Sequence, residues 1–296
     1  GSQFKDLAIE MGETNDQAFW DQYNLNTDWQ KEIFRNALSQ NYQLSATGGT
    51  EKTSYYFSGS WVDQNGIVLN NSMKRATFKA NVDHQVNKVL KIGTSLSYDN
   101  WKDVSVSEND RNGVITRLYT SIPNIGIRDP NEPEAYARSP FINDLENPVS
   151  TVYQPKQLYS NDRLHGNAYA EAEVIKGLKL KSLFGFESTV GKFKSFQDSI
   201  QTRWGKSNAG LANETKYNYK YWVSENTANY NKKIQDHSIS LLAGFIISRE
   251  TTDNVYRTSK DFSQASNGNT DVGSGKVQSP AIPYFVQKSH MSYIGR

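Results

Sequence analysis

Cysteine is missing from all 296 residues, which excludes disulfide staples, thiolate catalysis and cysteine-held zinc. Long apolar runs are missing too. No stretch reaches the roughly 18 residues a membrane-spanning helix needs, and mean hydropathy is −0.71. Neither sign of charge dominates: 33 basic residues stand against 31 acidic, a net +2, so overall charge calls for neither nucleic acid nor an anionic surface. Gly1 to Ala8 holds one lysine and no apolar core, so no secretory leader is visible; a mature chain, a tagged chain or an internal stretch of a longer protein would each look like this.

Aromatics are abundant, at 12% of the chain with 17 tyrosines, too many for a disordered polypeptide. Polarity overall with many aromatics suggests strands that have one wet face. Period-two alternation bears this out along the chain. Tyr42, Leu44, Ala46 and Gly48 alternate with Gln43, Ser45 and Thr47, and Tyr55, Phe57, Gly59 and Trp61 with Ser54, Tyr56, Ser58 and Ser60. Runs at 76–82, 90–98, 164–174, 178–187 and 239–247 repeat the pattern. A less tidy strand covers Tyr217 to about Asn231, and a ninth begins at His290.

The connections run short (49–51), medium (63–74), short (87–88), very long (101–162), short (176–177), long (191–215), short (232–235) and long (251–287). In an up-and-down sheet alternate connections lie at one end, so one end is trimmed and the other carries large loops. Outer-membrane barrels have this asymmetry. Runs of about 9–13 residues also suit a tilted bilayer crossing better than soluble strands. Leu90–Tyr98 and Ala76–Val82 carry no charge on their apolar face, while the opposite face accepts Lys79, Lys91, Asp99, Glu171 and Glu187. Tyr55, Trp61, Tyr98 and Trp101 lie toward strand ends, where an aromatic girdle belongs. The pattern therefore predicts an all-β, antiparallel, up-and-down transmembrane β-barrel segment with long extracellular loops. A soluble sandwich would explain the alternation but not the strand length or the one-sided loops.

Two stretches are not strand. Asn15 to about Leu38 reads as helix and turn, with Thr27 and Gln30 in capping-box spacing and Trp29 and Ile33 on one face. Asn109 or Asp110 could cap a short helix carrying Val114, Ile115, Leu118, Tyr119 and Ile122, ended by Pro123.

Catalytic and metal-binding patterns are thin. His84, His165, His237 and His290 form no metal-ligand spacing and read as solvated or lumen-facing; neither a metal nor a cofactor is expected. Gly275-Lys276 lacks the flanking residues of a phosphate loop, and Asp63-Gln64-Asn65-Gly66 reads as a turn. No enzyme activity is predicted. Aromatics that can stack on sugar rings crowd the predicted loops and strand ends, and Trp204, Tyr219, Tyr221 and Trp222 are the candidate ligand-binding residues. A girdle or loop packing would use the same residues.

The run Asn26-Thr27-Asp28-Trp29-Gln30-Lys31-Glu32-Ile33-Phe34-Arg35, then Gln40 to Ser45, Gly48 to Tyr56, Asp63 to Ile67, Lys74-Arg75 and Leu90 to Gly93, resembles the barrel start of SusC/RagA-type TonB-linked outer-membrane transporters of Bacteroidota. Ser292-Tyr293-Ile294-Gly295-Arg296 resembles another strand opening. The resemblance implies a 22-stranded barrel around a plug, of which this chain would supply about eight strands. Residues 1–40 would connect plug to barrel and 41–296 would be barrel. It further implies TonB coupling through a part of the protein not present here, a SusD-like lipoprotein partner, and oligosaccharide or peptide cargo. The surroundings would be outer-membrane lipid, with no nucleic acid. The alternatives are a passive porin and a soluble or surface-exposed glycan-binding or adhesion module.

Overall fold

Side chains that alternate between apolar and small polar build one long antiparallel meander. The computed structural model describes residues 2–13, 17–108, 113–141, 145–262 and 271–296. The strands are β1 (Ser39–Gly49), β2 (Thr53–Asn65), β3 (Ser72–Gln85), β4 (Leu90–Ser105), β5 (Lys156–Ile175), β6 (Leu178–Gln197), β7 (Leu211–Ile234), β8 (His237–Lys260), β9 (Val277–Gln278) and β10 (Ile282–Gly295). The helices are α1 (Ser2–Glu10), α2 (Gln17–Gln22), α3 (Trp29–Ile33), α4 (Val114–Thr120), α5 (Pro148–Tyr153) and α6 (Arg203–Ser207). Strands β1 to β8 pair in sequence order, β10 follows β8, and the two-residue β9 also pairs with β8. β1 and β10 are the outer edges of the sheet.

The register shows the tilt of a barrel wall. One row of paired residues runs Gly48, Tyr55, Val82, Thr94, Ala168, Phe184, Ser224, Ile247, Met291. At its start it is one residue from the end of β1 (Gly48 to Gly49), and on β7 it is ten residues from the hairpin (Ser224 to Ile234). Hydrogen-bonded rows run perpendicular to strands, so this steady retreat means strands inclined at about 40–45° to the line of hairpins, the stagger that closed barrels require.

Burial is inverted relative to a water-soluble sheet. Leu44 is 82% exposed, Phe184 51% and Tyr293 76%, and Phe57, Trp61, Phe78, Leu241 and Met291 are exposed too. On the other face Ser58, Ser97, Asn161, Ser195 and Ser248 are buried. The sheet thus curves around its polar face and turns its apolar face outward. Apart from Lys232, two residues from the hairpin end of β7, that outward face stays free of charge until Lys74 on β3, Lys102 on β4, Asp162 on β5, Lys192 on β6, Lys220 on β7 and Arg249 on β8. These first charges stand at similar heights above the hairpin ends, from eleven residues (Gln85 to Lys74) to fourteen (Leu178 to Lys192). An uncharged band of even height, inclined across the register by the strand tilt, is the mark of a wall that crosses lipid. Among the described residues no helix is long and apolar enough to cross a membrane.

Several expectations are corrected. Strands reach 24 residues, not 9–13, and the long connections shrink to 106–155, 198–210 and 261–281. The last strand begins at Ile282, ahead of His290, which makes nine long strands. Asp28, not Thr27, caps α3, and the Thr27 hydroxyl donates to Ile125 O at 2.6 Å. Gly113 precedes α4 without a side-chain cap; Asn109 and Asp110 lie outside the described residues. That helix ends at Thr120, before Ile122 and Pro123, and the 106–155 connection holds a further helix, α5. Tyr55, Trp61 and Tyr98 do face outward, whereas Trp101 faces inward with its Nε1 2.9 Å from the Asn161 side-chain oxygen.

Candidate functional site

Residues paired in register share a face, so the ladders assign the inward wall directly. Toward the end with the long connections, that wall carries Trp101, Tyr159, Phe193, Tyr217, Tyr219, Tyr221, Tyr256 and Tyr284. The Tyr159 and Phe193 rings are 4.6 Å apart. Nearer the hairpins the row His165–Glu187–Tyr221–Glu250–Lys288 brings charge to the same wall. Arg163 Nη2 meets Glu187 Oε2 at 2.8 Å, and Lys288 Nζ meets Glu250 Oε1 at 2.8 Å. Rings over fixed carboxylates and amides offer stacking and hydrogen bonding to a polar ligand in the lumen.

The four candidate ligand residues separate into three places. Tyr219 and Tyr221 share the inward wall, eight and ten residues inside the loop end of β7. Trp222 faces outward and stacks on Phe184, with ring centroids 6.4 Å apart at 21°. Trp204 lies on α6, beyond the strand end, and is 62% exposed. Period two alone separates Tyr221 from Trp222. The inward Trp101, Tyr159, Phe193 and Tyr284 were not among the four. Their signal was the same two-residue spacing, continued past the uncharged band.

The end with the long connections is covered by chain with a core of its own. Ile33, Val68, Val106, Val114 and Val152 form one buried cluster, and Trp29, Ile125, Tyr136 and Val149 a second. The Trp29 indole donates to Ile122 O at 3.1 Å, and Asn124 Nδ2 to Tyr23 O at 2.9 Å. Residues 2–13 and 17–38 therefore lie at the end with the long connections, packed on the 106–155 connection. The 198–210 connection docks there too, with Arg203 N donating to Glu146 at 2.8 Å and Lys206 paired to Glu132 at 3.1 Å. Burial pushes the Tyr136 phenol above its usual range, although the Arg128 guanidinium, 4.2 Å from the ring centroid, pulls the other way.

Among the described residues no three histidine or acidic side chains gather as a metal site. His165 and His290 face inward; His84 and His237 sit on the outward face at hairpin ends, His84 2.8 Å from the Thr53 hydroxyl.

No protein-family model matches the chain. It is 29% identical over 283 residues to TonB-dependent receptor P3 of Formosa agariphila, covering 92% of this chain and 27% of that receptor. Over 57 residues it is 40% identical to TonB-dependent receptor SusC of Bacteroides thetaiotaomicron, 19% of this chain and 6% of that one. The RagAB peptide importer in its open-open state superposes with a TM-score of 0.80 at 19% identity, covering all of this chain and 37% of that one. Fold and face chemistry are those of a β-barrel wall segment, and the sequence is similar to TonB-dependent receptors. The likeness is of the SusC/RagA kind, and the chain spans about a quarter of the length of TonB-dependent receptor P3.

Proposed function

We propose that this chain is part of the wall of a TonB-dependent outer-membrane importer that takes up oligosaccharides with a SusD-like lipoprotein at its mouth. The observation that carries the proposal is the even, uncharged outward band lying back to back with a polar, aromatic-lined inner wall. Import needs both: lipid on one side and a wet path for cargo on the other. Residues 41–296 are the barrel part. Residues 1–40, docked among the long connections, belong to the assembly at the barrel mouth. Tyr219 and Tyr221 are proposed to line the cargo path, and the chain's own chemistry is noncovalent.

The oligosaccharide assignment draws on the ring-and-amide surface; a peptide is the other cargo class, given the likeness to a peptide importer. Cells producing the full-length transporter test both, with fluorescent oligosaccharides and peptides offered with and without a proton uncoupler. Uptake of oligosaccharide that stops on uncoupling is the expected result. Uncoupler-insensitive uptake would instead mean a passive pore, and uptake of peptide alone would overturn the cargo class.

A further inference from the structure

The near-neutral net charge conceals a local excess. On the outward face one register row reads Asp63, Lys74, Lys102, Ser160, Lys192, Lys216 across β2 to β7. Lys74 stands directly opposite Lys102, and Lys192 directly opposite Lys216. Like charges in register repel, so two such pairs in one row call for an anion between them. The protein supplies only part of it. Asp63 holds Lys74 at 3.2 Å, and Glu214 reaches Lys216 at 3.6 Å and Lys194 at 3.9 Å. Asp162 lies on the same face, accepts hydrogen bonds from Tyr98 at 2.5 Å and Asn100 at 2.8 Å, and is near enough to Lys102 to feel its charge. Among the described residues Lys192 forms no ion pair.

Between Lys74, Lys102 and Lys192 lies a groove of about 420 Å³ whose walls also include Lys194, Val104, Leu158 and one carboxylate, that of Asp103. Its height fixes its surroundings. Lys74 comes next on the outward face after Ala76, and Lys192 after Val190, so the ammonium groups stand at the upper rim of the uncharged band. Lysine stems lie along apolar surface with their heads at the headgroup level, and basic clusters there bind anionic lipid heads.

We propose that this groove binds the phosphate-bearing headgroup of an anionic outer-leaflet lipid, with Lys102 and Lys192 as its main contacts and the uncharged band below them, Val190 included, against the lipid's apolar part. The proposal rests on the reading of the outward face as a membrane wall. The test uses the full-length transporter purified in uncharged detergent, titrated with phosphorylated lipid A, with the same lipid stripped of phosphate, and with inorganic phosphate, and read by native mass spectrometry. A Lys102→Gln/Lys192→Gln double variant is compared with Lys88→Gln, a change in the hairpin at the opposite end. Phosphorylated lipid is expected to bind at least tenfold more weakly to the double variant than to the parent or Lys88→Gln, and removal of the lipid phosphate is expected to weaken binding to the parent equally. Equal binding by the double variant, or no preference for the phosphorylated lipid, overturns the site. Inorganic phosphate that displaces the lipid at millimolar concentration overturns the lipid as its occupant. Heat-modifiable migration in electrophoresis checks that each variant is a folded barrel. Its loss in the parent would count against the membrane-wall reading, whereas unchanged lipid binding by a folded double variant counts against the groove alone.

Discussion

The Tyr169 hydroxyl donates a 2.6 Å hydrogen bond to Asp83 across the face of Gly93, so that one side chain ties three strands together. A Cβ on residue 93 would collide with the Tyr169 ring and the Asp83 carboxylate. Lys91 and Lys181 stand over the same ring, 5.7 and 4.8 Å from its centroid. The device recurs two strands further on, where Tyr217 lies over Gly191 against the Asn161 amide. Glycine inside a strand usually weakens it; here its bare backbone is the seat for a tyrosine from the next strand.

Gly93→Val in the full-length barrel is expected to cost roughly 1–3 kcal/mol, the usual penalty for overpacking. The readout is a lower urea midpoint for loss of the compact electrophoretic band. Tyr169→Phe keeps the ring and loses only the hydrogen bond to the Asp83 carboxylate, about 1.5–3 kcal/mol. A Gly93→Val midpoint equal to the parent's would show that the ring has somewhere else to go.

The mouth assembly is predicted to come loose separately from the wall. Ile33 is fully buried and Trp29 nearly so, both on the one-and-a-half-turn α3 that packs against α5 and the 106–155 connection. Ile33→Ala is expected to remove about 2–5 kcal/mol from this small core, enough to expose the connection to protease. Limited proteolysis should then cut within 106–155 while the barrel band survives. Cleavage no faster than in the parent would contradict the packing described.

Tyr221 and Trp222 are neighbours in sequence with opposite surroundings. Alanine at Tyr219 and Tyr221 together is expected to weaken cargo binding about tenfold or more, on the basis of one to a few kcal/mol for lost ring stacking, with little change in assembly. Trp222→Ala should leave cargo affinity unchanged and lower assembly, because it removes outward apolar surface and the Phe184 stack. Isothermal titration of the purified transporter beside quantification of the folded band separates the two effects. A shared loss of affinity across all three residues would contradict the face assignment.

How much of this was legible in the sequence depended on what each face touches. Leu90–Tyr98 announces itself because lipid demands apolar side chains on one face and water accepts polar ones on the other. Beyond Tyr98 the outward face turns to Asn100 and Lys102 while the inward face takes Trp101 and Asp103, and the ladder continues to Ser105 with no hydropathy signal to show it. On β7 the alternation even reverses: Tyr217, Tyr219 and Tyr221 point inward, Asn218 and Lys220 outward, and the run reads only as a less tidy strand. The candidate site suffered from the same gap. Stacking chemistry could be recognised in Tyr219, Tyr221 and Trp222 by residue type, but the face of each follows only from pairing with β6 and β8. The basic groove was invisible for a further reason: its lysines come from three strands spread over residues 74 to 194 and meet only through register.

The central claim is that the outward band faces lipid and the inward wall faces water. Absence of cysteine from this chain makes the test direct as far as these residues are concerned. Single cysteines are placed in turn from Leu90 to Val104 on β4 of the full-length protein, which is held in the outer membrane and exposed to a water-soluble maleimide. Labelling is predicted to alternate, with Lys91, Ser95, Ser97 and Asp99 reactive and Ile92, Thr94, Leu96 and Tyr98 protected, and then to appear on both faces from Lys102 upward. Uniform labelling of Ile92, Leu96 and Tyr98 alongside their inward neighbours would contradict the account.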